Sequence, residues 1–190
     1  MSSKERELKI KKINHQLYIQ LVRKIKEEFG CKENFALPED KLYLLEGEYS
    51  TVCFFGGNAE RLEGILENLK QAGIHPYCVG IPLVILDNTD RKKFNIKPLI
   101  YLATFLTDCG NKIVLKDKLG EKLTYGRQIE MRIEDLNVSK YTTKESNERT
   151  TFLVYSESGL FLAFVRIIIV GKKARIVPVL DVGWYLRRGE

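Results

Sequence analysis

The strongest chemical signature in the chain is a run of cations near its C-terminal end. Arg166, Lys172, Lys173, Arg175, Arg187 and Arg188 fall within residues 166–190, against only Asp181 and Glu190. The preceding stretch, 119–165, is balanced, with six Lys or Arg and seven Asp or Glu. A basic patch on a rigid element attracts polyanions by direct pairing and by release of their counterions. Lys172, Lys173 and Arg175 lie in and just after a "GKK" turn, from which long side chains can reach phosphates. A solvated hairpin tip is the alternative there, and for Arg187 and Arg188 the choice is similar. Arg166 is the lone charge between Leu160 and Val170, so it is either an outward-facing strand residue or a phosphate contact. A second basic cluster, "DRKKF" (Asp90 to Phe94), is a solvated turn or a site for RNA or a partner protein. Tyr141 could cover one end of a barrel or stack on an unpaired base.

Catalytic chemistry finds little support. "FFGGNAE" (Phe54 to Glu60) has the order strand, turn, helix, and a helix N-terminus can hold phosphate. The G-x-G-x-x-G and G-x-x-x-x-G-K-[ST] patterns are both missing, so Asn58 is better read as a plain N-cap. No G-x-S-x-G is present. His15 and His75 have no acid or nucleophile beside them in sequence. Cys31, Cys53, Cys78 and Cys109 are each more than 20 residues apart, with no C-x-x-C pair and no histidine at zinc-site spacing. Four reduced thiols, no metal and no cofactor are the expectation.

The elements that must carry these residues divide into two patterns. Up to Asp117, helices and strands alternate. Ile10, Ile13, Leu17, Leu21, Ile25 and Phe29 recur at three- and four-residue steps, which predicts a helix ended by Gly30. "KLYLLEG" and "STVCFFGG" read as strands, and Asn58 to Gly73 as a second helix. "PYCVGIPLVILD" reads as a strand with a bulge or kink, or as two strands. Pro98 is placed to open a third, buried helix, "PLIYLATFLTD", and "NKIVLKD" reads as a strand. After Lys118 only a short helix near "GEKLTYG" remains. The rest is short β-rich runs: "QIEMRI", "TFLVY", "LFLAFVRIIIV", "ARIVPVL" and "WYLR". Such spacing suggests a small β-barrel. The fold class expected is α+β, with a mixed α/β domain over 1–118 and a β pseudo-barrel over 119–190.

At 190 residues, with 44% hydrophobic and 29% charged residues, the chain has apolar material for a core without metals or disulfides. Its longest apolar runs are too short to span a bilayer, and "MSSKERELKIKK" lacks the apolar region of a secretory signal. A cytoplasmic location is expected, or a nucleolar one if the source is eukaryotic.

The C-terminal "DVGWYLRRGE" (Asp181 to Glu190) holds the only Trp, and reads as a final strand that fixes Trp184, Tyr185 and Leu186 by burial. A barrel opening on "YGRQI" and closing on Gly183-Trp184-Tyr185-Leu186-Arg187 resembles the PUA domain, an RNA-binding pseudo-barrel. "KKFNIKPLIYLATFL" (Lys92 to Leu106), "NKIVLKDKLGEKLTYG" (Asn111 to Gly126) and "FLVYSESGLFLAF" (Phe152 to Phe164) are similar to blocks of the Nip-seven family of large-ribosomal-subunit biogenesis factors. The resemblance runs from about Thr51 onward. Trp184 departs from the charged residue that eukaryotic members tend to carry, which suggests an archaeal relative. The resemblance implies a non-catalytic adaptor in pre-rRNA processing. Its PUA domain would bind a ribosomal RNA precursor, with U-rich segments as candidate targets, and its N-terminal domain would bind other ribosome biogenesis proteins. It also adds Gly126 and Arg127 to the RNA-facing candidates, Gly126 allowing close backbone approach. The competing reading is an RNA-modification enzyme, or its accessory subunit, carrying a PUA domain.

Overall fold

The computed structural model describes residues 9–46, 49–74, 76, 78–87, 94–136, 150–184 and 187. The architecture is α+β, as expected, with two five-stranded sheets in two compact units. The first unit takes residues 1–24 and 36–102, the second 25–35 and 103–190. This division differs from the boundary read near residue 118. Lys112–Leu115 pairs in parallel with Phe152–Ser156 and so is a strand of the second sheet.

The first unit holds β1 (Lys9–Lys12), β2 (Leu42–Glu46), β3 (Ser50–Phe54), β4 (Ile81–Asp87) and β5 (Asn95–Pro98), an antiparallel meander in that order. Helix α1 (His15–Phe29) begins in this unit, and α2 (Ala59–Gln71) follows β3. Asn58 caps α2 as its residue type suggests, accepting the Arg61 N–H at 2.9 Å. The helix seats Leu62 and Leu66 against Tyr43, Phe55 and Val79. In β4 a register shift opposite Val52 and Cys53, at Pro82, selects one strand with an irregularity from the readings left open by the sequence.

Two readings of this half are corrected. Residues 9–12 are an edge strand and not the start of the first helix. Ile10 pairs with Leu45, and Lys11 reaches Glu46 at 2.5 Å. The helix starts only after Asn14, whose side chain accepts the Leu17 N–H at 2.8 Å. Pro98 ends β5 and does not open a helix. The apolar run after it forms a 3-10 turn, Ile100–Phe105, with Leu102 and Ala103 buried. The expected reduced thiols are also corrected: Cys53 is bonded to Cys78, and in the second unit Cys31 to Cys109, across 25 and 78 residues of sequence.

The second unit holds β6 (Lys112–Leu115), α3 (Asp117–Thr124), β7 (Ile129–Arg132), β8 (Phe152–Ser156), β9 (Phe161–Val170) and β10 (Lys173–Asp181). Its sheet order is β6-β8-β9-β10-β7, and only β6 and β8 run parallel. The sheet curls round a core of Ile113, Leu115, Phe152, Val154, Ala163, Val165 and Ile176, with Leu123 of α3 packed into it. Alternation puts Phe164 on the opposite face of β9. There it is fully buried against Phe29, whose ring centroid lies 5.4 Å away, and against Phe161 at 4.9 Å. The end of α1 is tied down beside them. Thr151 donates its backbone N–H to the Glu28 carbonyl at 2.9 Å and its hydroxyl to the Glu28 carboxylate at 2.8 Å.

Among the described residues the final strand read from "WYLR" is not found, Trp184 and Arg187 being helical, while Tyr185 and Leu186 lie outside the described residues. β10 stops at Asp181, and the chain turns at Gly183 into helical geometry, with the Arg187 N–H donating to the Gly183 carbonyl at 3.0 Å. Trp184 is half-buried. Among the described residues, no helix is long and apolar enough to cross a membrane.

Candidate nucleic-acid interface

The strand ladder sorts the sequence-predicted cations into two groups. Residues directly opposite on antiparallel strands share a face. Val170 opposes Lys173, which opposes Arg132. Ile168 opposes Arg175, which opposes Glu130, and Arg166 opposes Val177. Arg166, Lys173 and Arg175 therefore lie on one outer sheet face with Arg132, and Lys172 sits in the turn at its end. This is the same face that Phe29 covers at Phe164, and it is open from Arg166 onward, where Arg166, Ile168 and Val170 are exposed. Arg175 donates to the Glu130 carboxylate at 2.9 and 3.1 Å, and Lys173 stands 3.9 Å from it. Glu130 thus holds the cations in register and offsets part of their charge. Its role could not be read from sequence, because it lies 45 residues from Arg175 and only the β7–β10 pairing brings the two together.

Gly126, Arg127 and Arg187 form the second group. Gly126 follows α3 with φ +73, a conformation that favours glycine. Arg187 reaches back beneath this loop. Its guanidinium makes a two-pronged pair with Asp181, at 2.9 and 2.8 Å, and also donates to the Thr124 carbonyl. The Asp181 hydrogen bonds raise the guanidinium pKa further above its usual value. Asp181 is buried, so this pair fastens the turn after β10 to the end of α3. Arg187 is thus committed to a structural contact, while Arg127 is exposed beside Gly126. Arg188, Tyr141, His75 and residues 90–93 of "DRKKF" lie outside the described residues. Among the described residues, no group of three or more His, Cys, Asp or Glu is arranged to hold a metal.

Residues 111–190 match the family described as the UPF0113 PUA domain. The second unit carries a PUA domain. A solved structure, a conserved PUA domain protein from Thermoplasma acidophilum, aligns with 95% of this chain and 99% of its own length, with a TM-score of 0.55. At 14% identity that likeness is one of fold. No curated protein sequence matches the chain significantly. PUA domains generally bind RNA, and this PUA domain carries its open basic face on β7, β10 and β9.

A cleft of about 800 Å³ adjoins this face, sharing Glu130, Arg132 and Lys173 with it, where β6 and β7 are the two outermost strands of the sheet order. Val114, Leu119 and Met131 form its apolar lining, and charged side chains of both signs rim it. Of these only Lys173 was singled out from the sequence.

Proposed function

We propose that this protein is a non-catalytic RNA-binding adaptor in large-ribosomal-subunit biogenesis and pre-rRNA processing, of the kind the Nip-seven family supplies. The observation that carries the reading is the alignment of Arg132, Arg166, Lys173 and Arg175 on one open face of the PUA domain, with Lys172 at its tip. Four of these five, all but Arg132, are singled out from the sequence by the charge pattern alone. The sequence blocks from Lys92 to Leu106 and from Asn111 to Gly126 support the ribosome-assembly role by resemblance, and they support partner-protein contacts through the N-terminal unit.

The test is RNA affinity against salt, for the intact chain and for the triple variant Lys172→Ala, Lys173→Ala, Arg175→Ala. A single-stranded probe loses affinity with a log–log slope of about −0.7 per neutralised phosphate, so three lost contacts should flatten the slope by about 2. Each exposed pairing is worth roughly 1 kcal/mol in bulk water, and Arg175 is already shared with Glu130. The affinity loss at low salt should therefore be on the order of 30-fold. Equal binding by the two proteins would remove the sheet face as the site and move attention to Gly126 and Arg127. Turnover of any RNA substrate would overturn the adaptor reading.

A further inference from the structure

The cleft beside β6 and β7 has a composition that phosphate binding does not explain. Asp135 and Glu157 line it together with Glu130, and carboxylates repel a phosphate backbone. Glu130 is occupied by Arg175, but Asp135 and Glu157 pair with no cation among the described residues. Lys116 and Arg132 stand on the same rim, so a backbone can still be held at the entrance. Leu119 and Met131, packed against the core, offer an apolar surface in it, and Val114, 55% exposed between the core residues Ile113 and Leu115, lines it from the outer side of β6. The volume falls within the roughly 300–1,000 Å³ typical of small-molecule pockets and is ample for one nucleotide.

We infer that this cleft takes one unpaired guanine nucleotide of a bound RNA, with the base against Leu119 and Met131, its Watson–Crick edge toward Asp135 and Glu157, and its phosphate at Lys116 and Arg132. This rests on the RNA-binding reading above and adds a base preference to it. An ionised carboxylate only accepts hydrogen bonds. Guanine offers adjacent donors, N1–H and the N2 amino group, on the edge that single-stranded recognition reads. Uracil offers a single N3–H between two carbonyl oxygens, which a carboxylate repels. The U-rich segments suggested by sequence resemblance are on this account the weaker ligands.

The experiment compares a labelled eight-nucleotide all-uridine RNA with the same RNA carrying one central guanosine, using the full chain. The guanosine probe should bind about tenfold tighter, the value of one good paired contact to a base edge. Inosine, which lacks the N2 amino group, should recover only part of the gain. The double variant Asp135→Asn, Glu157→Gln replaces acceptors with amides, which suit uracil as well. Both residues are exposed, so the variant should melt as the parent does. It should bring discrimination below threefold and leave the salt slope unchanged. If both probes bind the intact chain alike and with steep salt dependence, the cleft inference fails and the RNA reading stands. If neither binds, both fail. Discrimination that survives in a folded double variant also overturns the inference. Guanosine monophosphate is the competitor that separates an RNA nucleotide from a free one. Failure to displace the probe at ten times its Kd supports the RNA form, and displacement there overturns it.

Discussion

Replacing Phe164 by Ala should destabilise the PUA domain by about 3–5 kcal/mol, the cost of removing a buried aromatic ring and leaving a cavity. The ring is fully buried and packs at tilted angles against Phe29 and Phe161. Each tilted aromatic pair adds about 0.5–1.5 kcal/mol beyond area burial. The backbone on either side is fixed in a sheet paired on both edges, so the site has little freedom to collapse. Denaturant unfolding measures the loss, and Phe164→Leu, which keeps much of the volume, should lose clearly less. A loss below 1 kcal/mol for Phe164→Ala would mean that the ring is not held as described. The change should leave the cations on the open part of the face in place. RNA affinity measured well below the melting transition should then stay within about twofold, and a large loss of affinity in folded protein would break the separation between packing and binding.

The second large effect is expected from Gly183→Ala. A methyl group there would overlap the Thr124 carbonyl, which is backbone and cannot swing aside, and would press on the Arg187 guanidinium. Overpacking of this kind costs about 1–3 kcal/mol and occasionally more. The upper end is expected here, because relief requires moving the turn that carries the Arg187–Asp181 pair. Asp181 would then keep a buried carboxylate with a weakened partner. Thermal unfolding provides the measurement. Gly64→Ala in α2 is the control, since its added methyl meets no atom within 4 Å, and it should stabilise by about 0.5–1 kcal/mol through helix propensity. If Gly183→Ala proves as benign as Gly64→Ala, the close approach of the turn to α3 is wrong.

Much of the fold could be read from the sequence because its signals were local. Asn58 and Gly73 bracket α2, and polar turns mark off β8 to β10. The failures are non-local. Ile10 fits a helical stripe, but Leu45, thirty-five positions on, pulls it into a strand. Pro98 suits a helix start and equally the end of an edge strand, and nothing nearby decides between them. "LFLAFVRIIIV" is apolar along almost its whole length, so alternation cannot say that one face is covered by Phe29 at Phe164 and bare beyond Arg166. The candidate site shows the same division. The cations are visible in the sequence, but Glu130 and Asp181, which pair with three of them, become partners only through strand register and chain reversal. The cysteines carry no pairing signal either, since their spacing fits no motif.

The strand order of the PUA domain has a kinetic meaning. β8, β9 and β10 follow one another as a meander, whereas β6 and β7 precede them in the chain and add to opposite sides. Lys112 must find Leu153, and Arg132 must find Lys173, across long stretches of chain, while β9 and β10 are joined by a tight turn. Loop closure makes such distant pairings slow. The meander should act as the nucleus, with the two older strands joining late. Pulsed hydrogen exchange during refolding would then show protection in Phe161–Asp181 before it reaches Lys112–Leu115, and the reverse order would contradict it. The turn that presents Lys172 would on this account take shape first, before the domain it serves has closed.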